Sequence, residues 1–154
     1  MGRLVNFVTP LHKSTQRAYI DRMNDDKINC MLKAKEYGSD YWDGNRRFGY
    51  GGYKYIPGRW KGVAELLIKN YNLNNDCKLL DIGCGKAFLL YEIKLLLPGI
   101  KVVGIDISKY GITNAKKEVA NFLFIHKAQD AYPFKDNEFD LVISLGCFHS
   151  LRIF

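Results

Sequence analysis

Two carboxylates and two glycines stand at spacings suited to holding a small ligand. Asp81 closes the apolar run Leu79-Leu80-Asp81-Ile82, and Gly83 and Gly85 follow at alternate positions with Cys84 between them. Side chains at 83 or 85 would forbid φ > 0 and hold a ligand away from the backbone N–H groups of the turn. Asp106 closes a second apolar run, Lys101-Val102-Val103-Gly104-Ile105-Asp106, and lies 21 residues past Gly85. A carboxylate at the end of such a strand can accept both hydroxyl hydrogens of a ribose; the alternative is a strand-end acid that caps the next helix. His149 offers an imidazole able to take a proton near neutral pH, though a packed histidine at a strand-to-helix turn is the more common use of such a residue. The four cysteines, Cys30, Cys77, Cys84 and Cys147, include no C-x-x-C pair, so no metal site is expected.

The elements that must position these residues follow from hydrophobic period. Residues 78–82 read as a buried strand, and Phe88-Leu89-Leu90-Tyr91-Glu92-Ile93 opens a helix that ends at Pro98-Gly99. Trp60, Val63, Ala64, Leu67, Ile68 and Tyr71 recur at helical spacing and predict one buried face. Strands are expected at 101–106 and 122–126 and along Phe139-Asp140-Leu141-Val142-Ile143-Ser144-Leu145, with a helix over about 109–121 capped by Ser108. Residues 1–13 show no clear period. Ser14 is placed to cap a helix over roughly 15–36, which Asn24-Asp25-Asp26 could split in two. Between 37 and 60 aromatic residues and glycines crowd together, with Arg46, Arg47 and Arg59 among them. Glycine at that density opposes a regular helix, yet so many aromatics imply order, so a long packed loop is expected. It reads as a structural cover, as a lid over the ligand crevice, or as a platform for stacked bases.

At 154 residues the chain has the size of one domain. Its net charge is +7, of which +5 falls in residues 1–76 and +2 in residues 77–154. That excess fits an anionic substrate or nucleic acid as well as a lysine-rich solvated surface. No apolar run approaches the roughly 20 residues of a membrane span, and no continuous apolar leader opens the chain. Unpaired cysteine spacing suggests reduced thiols and a cytoplasmic setting.

A dinucleotide turn of the G-x-G-x-x-G kind would need glycine at 88, where this chain has Phe88. Asp81-x-Gly83-x-Gly85-x-Ala87 instead resembles the [DE]-x-G-x-G-x-G turn of class I S-adenosyl-L-methionine (SAM)-dependent methyltransferases, with Ala87 in place of the third glycine. Tyr132-Pro133-Phe134 followed by Phe139-Asp140-Leu141-Val142 resembles the family's stretch leading into its fourth strand, and Phe148-His149 is similar to a Leu-His pair beyond it. The resemblance covers about residues 60–154.

It implies an α/β, Rossmann-like doubly wound and mostly parallel sheet, with the four strand signals in the order 3-2-1-4. The family's seven strands would make residues 59–154 an incomplete SAM-binding domain lacking its C-terminal strands, preceded by a helical, aromatic-rich extension at 1–58. Cofactor contacts would come from Asp81, Gly83, Cys84, Gly85, Asp106, Ile107, Ala128, Gln129 and Leu145, with SAM as cofactor and His149 as candidate catalytic base. The acid that meets the adenine amino group in the family falls at Ala128 here, so a shifted Asp130 or the backbone of Ala128 and Gln129 would serve. The [DNS]-Pro-Pro-aromatic motif of amino-group DNA methyltransferases is absent, and Cys147 follows Gly146 rather than proline. A small-molecule methyl acceptor is therefore expected ahead of a nucleic-acid base. The competing readings are a non-catalytic partner that keeps the fold and a nicotinamide-dependent oxidoreductase.

Overall fold

Short apolar strands pair in parallel where helices carry the chain back across the sheet between them. The computed structural model describes residues 5–13, 26–145 and 147. In it β1 (Lys78–Ile82), β2 (Lys101–Asp106), β3 (Leu123–Ile125) and β4 (Leu141–Ile143) form an all-parallel sheet ordered β3-β2-β1-β4. The Rossmann-like architecture and strand order expected from the sequence are thus present. Asp81 pairs with Gly104 and Ile143, and Asp106 pairs with Ile125, so both carboxylates arrive at the carboxyl edge of the sheet.

Seven helices accompany the sheet among the described residues: α1 (Thr9–Lys13), α2 (Lys27–Ala34), α3 (Ser39–Trp42), α4 (Lys61–Tyr71), α5 (Phe88–Leu96), α6 (Lys109–Thr113) and α7 (Lys117–Ala120). The main core joins one sheet face, through Leu79, Val102, Leu123 and Ile143, to Val63, Ala64 and Leu67 of α4, Leu89, Leu90 and Ile93 of α5, and Val119 of α7. Leu79, Leu90 and Ile93 are fully buried, each worth about 1.5–3 kcal/mol of transfer free energy. On the other face Leu80, Ile82 and Ile105 are covered by Ala128, Phe134, Phe139 and Cys147, while Val142 and Phe124 stay half exposed.

Several local expectations are corrected by side-chain chemistry. A short helix forms at Thr9–Lys13, where no period was visible, because Asn6 Oδ1 accepts the Thr9 N–H at 3.1 Å. The helix expected over 15–36 is described only as Lys27–Ala34, directly after Asp26, which is left-handed at φ 36°; Ser14 lies outside the described residues. Tyr71 leaves the apolar stripe of α4, 50% exposed and stacked on Phe7. The helix expected over 109–121 is broken in two. Thr113 Oγ1 donates to the Lys109 carbonyl and Asn114 Nδ2 to the Tyr110 carbonyl, so side chains compete for the helix's own acceptors. Ser108 does cap α6, its Oγ accepting from the Gly111 N–H at 2.9 Å.

Candidate functional site

The turn between β1 and α5 is pinned to β2 by its own backbone. The N–H groups of Gly83 and Cys84 both donate to the Ile105 carbonyl, at 2.8 and 3.1 Å. Gly83 and Gly85 have φ of 81° and 57°, which an L side chain adopts at a cost. Space forbids one as well: a Cβ on Gly83 would lie 2.6 Å from Cys147 Cβ, and one on Gly85 would lie 2.5 Å from Trp42 Cη2. Ala87, standing where the motif has its third glycine, also takes a left-handed conformation at φ 53° and starts α5.

Asp81 is buried at 5% exposure, and among the described residues no group donates to its carboxylate. Burial first, and then the neighbouring Asp106 charge, push its pKa up to about 7. Asp106 is better provided for. Its Oδ2 accepts from Gly85 N–H and its Oδ1 from Ser108 N–H, both at 2.7 Å. Burial raises its pKa even so, against the opposing pull of those two bonds. Each oxygen keeps a lone pair for a further donor. Burial, followed by the two nearby carboxylates, holds the Cys84 thiol well above its ordinary pKa, so it stays protonated and is no nucleophile at neutral pH.

Over this turn lies the aromatic segment 37–60. Trp42 is buried, and its Nε1 donates to Ser108 Oγ at 2.8 Å and to the Tyr37 carbonyl at 3.2 Å. Its ring stacks on Tyr50 at 5.2 Å between centroids, and Tyr53 stacks on Phe88 at 5.1 Å. Phe88, the residue that breaks the dinucleotide pattern, is thus the floor on which the segment rests. Two polar latches hold it there. Lys86, 4% exposed, donates to Asp43 at 2.7 and 2.9 Å and to the Tyr53 carbonyl at 2.8 Å. Tyr110 donates to the same carboxylate at 2.8 Å. Burial works against the Asp43 charge, but Lys86 and Tyr110 prevail and hold its pKa below the usual carboxylate range. Glu92, also buried, accepts from Tyr55 Oη at 2.9 Å and from Gly58 N–H at 3.0 Å.

These latch residues were missed by the motif search. The available signal was a charged residue inside an apolar stretch, Lys86 in the turn and Glu92 in α5, because a charge folded into a core needs partners.

Between the segment and the turn is a cavity of about 1000 Å³. Asp81, Gly83, Cys84, Gly85 and Leu145 line it together. Asp106, bonded to the Gly85 N–H, and Ile107, 46% exposed, are not among the residues that line it. Ala128 and Gln129 lie on the next loop along the carboxyl edge. Ala128 is half-buried against Leu80, Ile82 and Ile105, with its carbonyl accepting from Tyr132 Oη at 2.6 Å, and Gln129 and Asp130 are exposed. His149 lies outside the described residues. No group of three metal-ligating side chains exists among the described residues, no disulfide joins any of the four cysteines, and no described helix is long and apolar enough to cross a membrane.

A parallel sheet with a glycine turn, a buried acid at the first strand end and a second acid at the next is a ligand crevice of the doubly wound α/β class. Residues 73–153 match the family model described as "Methyltransferase domain", and the chain belongs to that family. It is 31% identical over 90 residues to the ribosomal RNA small subunit methyltransferase C of Actinobacillus succinogenes, covering 57% of this chain and 27% of that protein. It is 31% identical over 75 residues to the malonyl-[acyl-carrier protein] O-methyltransferase of Legionella pneumophila, covering 47% and 26%. The chain therefore spans about a quarter of the length of these curated relatives. A crystal structure of a protein assigned as a SAM-dependent methyltransferase from Methanococcus maripaludis superposes with a TM-score of 0.50 at 20% identity, covering 90% of this chain and 55% of that one, a likeness of fold.

Proposed function

We propose that the chain binds SAM in the crevice between the β1–α5 turn and the aromatic segment and transfers its methyl group to a small-molecule acceptor. The observation that carries this reading is Asp81, a buried carboxylate that faces the cavity with no donor from the described residues. A cationic ligand would relieve that charge, and the adjoining turn is too tight for any side chain at 83 or 85. The dinucleotide alternative is disfavoured because Phe88 carries the Tyr53 ring where a pyrophosphate turn would want glycine.

SAM supplies a methyl group already activated by its sulfonium charge, so the residues have chiefly to bind, orient and exclude water. Asp81 is positioned to meet the positive end of the ligand. Asp106, already oriented by Gly85 and Ser108, has lone pairs left for the two ribose hydroxyls. Ile107, Ala128 and Gln129 are proposed to frame the adenine, and Leu145 to close the cavity opposite Gly83. Trp42 and Phe88 keep water from the turn. We assign His149 as the group that takes the acceptor's proton. In this reading residues 1–58 act as a lid extension on a SAM-binding unit at 59–154. Four cysteines outside any disulfide fit a cytoplasmic setting. The test is to incubate the chain with methyl-labelled SAM and candidate acceptors and to follow S-adenosylhomocysteine. Formation that depends on acceptor, and is lost in His149→Ala, supports the reading. A chain that binds no SAM refutes it.

A further inference from the structure

Trp42 touches both of the groups that hold Asp106. Its Nε1 donates to Ser108 Oγ at 2.8 Å, and the Ser108 N–H donates to Asp106 Oδ1 at 2.7 Å. The far edge of its ring lies on Gly85, where Cη2 stands 2.5 Å from the place a Cβ would take, and the Gly85 N–H donates to Asp106 Oδ2 at 2.7 Å. One donor belongs to the turn after β1 and the other to the turn after β2, and the indole spans them. The Ser108 hydroxyl is fully used: it donates to the Tyr37 carbonyl and accepts from Trp42 Nε1 and from the Gly111 N–H. The Tyr37 carbonyl accepts from Trp42 Nε1 as well, at 3.2 Å, which closes a ring of three hydrogen bonds between the segment and the β2–α6 turn. Tyr37 is left-handed at φ 49°, a conformation that an aromatic residue adopts at a cost, so this ring of bonds holds the segment in a strained shape. Trp42 and Ser108 are 6% and 2% exposed, so little water competes for the contact.

An apolar cover over the turn would need only a ring. The indole adds an N–H, and that N–H is spent on the residue whose own backbone fixes Asp106. The carboxylate keeps 9% exposure and one lone pair on each oxygen, and the two bonds already made set the directions in which those lone pairs point. We infer that Trp42 is a positioning residue: by holding Ser108 and Gly85 it makes Asp106 present its free lone pairs to a vicinal diol, and it thereby couples closure of the 37–60 segment to ribose binding at Asp106. The diol rests on the SAM reading above; the hold of Trp42 on the two donors does not. Coupling of this kind is reciprocal, so a ribose on Asp106 tightens the indole on Ser108 by the factor by which the closed segment tightens the ribose.

Trp42→Phe keeps a ring and removes both Nε1–H and Cη2. The first arm needs no ligand: amide hydrogen exchange of the full chain is followed by NMR. In the variant the Gly85 and Ser108 amides should exchange about tenfold faster or more, the equivalent of one hydrogen bond, while the Gly104 and His126 amides, held by the Phe122 and Asp106 carbonyls, change less than about twofold. The second arm titrates adenosine and 2′,3′-dideoxyadenosine, which lacks both ribose hydroxyls, by calorimetry. Wild type should prefer adenosine by about tenfold or more, and Trp42→Phe should shrink that preference below about threefold while leaving the dideoxynucleoside within about twofold. Adenosine, and not its dideoxy analogue, should slow exchange of the Trp42 Nε1–H. If Trp42→Phe fails to fold by circular dichroism, Ser108→Ala is read the same way, since it keeps the backbone donor to Asp106 and removes the hydroxyl that anchors the indole. Unchanged exchange at Gly85 and Ser108 in the folded variant overturns the proposal. So does a variant that weakens both nucleosides by one factor, which makes Trp42 a cover only. Faster exchange of the Trp42 Nε1–H with adenosine bound also overturns it, because the indole would then be a plug that the ligand displaces. A wild type that binds neither nucleoside refutes the cofactor reading, and the exchange arm then decides the hold of Trp42 by itself.

Discussion

Replacing Asp81 by Asn removes a charge from a place where the empty protein gains nothing from it. The folded carboxyl titrates at about 7, against 3.8 for the unperturbed group, because burial and then the Asp106 charge disfavour ionisation. Below pH 3.8 the group is protonated in both states and costs nothing. Between 3.8 and about 7 the unfolded chain is ionised while the folded chain keeps its proton, so stability falls as pH rises, and it levels off above 7. The full gap corresponds to on the order of 4 kcal/mol. About 2–3 kcal/mol of it opens between pH 5 and pH 8, or about 5–10 °C in Tm for a chain of this length. Asp81→Asn lacks this term, and Asp106 titrates in both proteins. Thermal melts by circular dichroism at pH 5, 6, 7 and 8 should therefore show the variant overtaking the wild type progressively. The same variant should bind SAM more weakly at pH 8, since the charge that costs stability is the one that meets the ligand. Melting curves that stay parallel across this range, or a variant less stable at pH 8, would refute the argument.

Other perturbations read the neighbouring contacts. Asp106→Ala removes the acceptor of Gly85 and Ser108 N–H as well as two candidate ribose bonds, each charge-assisted bond worth roughly 1.5–3 kcal/mol; calorimetry should show a large loss of SAM affinity, and an unchanged Kd in the folded variant would sink the ribose assignment. Lys86→Met leaves the Asp43 carboxylate without its cation and should cost about 3 kcal/mol or somewhat less, given that Asp43 is partly exposed. Trypsin should then cut faster at Arg46, Arg47 and Lys54, and an unchanged cleavage rate would show that the latch does not hold the segment. Gly85→Ala forces a Cβ to within 2.5 Å of Trp42 at positive φ and should destabilise by about 1–3 kcal/mol, measurable by urea unfolding together with a shift in tryptophan emission.

Much of the fold was legible because its signals are local. Leu79 to Ile82 and Lys101 to Asp106 are apolar runs that end in acids and meet a glycine turn or a capping serine, and both strands formed at the expected residues. Ser108 caps as expected, since a serine before a helix has one obvious donor to satisfy. Legibility failed where distant chain decides. Nothing near Trp42 in sequence indicates that its indole will reach Ser108, 66 residues away, or that Asp43 will pair with Lys86. The density of aromatics and glycines in 37–60 predicted an ordered loop, but neither the short helix Ser39–Trp42 within it nor its resting place over Gly85. Helix 109–121 was overread because hydrophobic period ignores side chains such as Thr113 and Asn114, which compete for backbone carbonyls. For Asp106 the residue was found from its position, whereas its bonds to Gly85 and Ser108, which orient it, needed the folded turn.

The central claim is that this crevice takes SAM and refuses a dinucleotide, and calorimetric titration of the folded chain with SAM, S-adenosylhomocysteine and NAD tests it most directly. The account predicts saturable one-site binding of the first two, tightening for SAM as pH rises through 7 and Asp81 ionises, with no heat of binding for NAD. Saturable binding of NAD with none for SAM would contradict it.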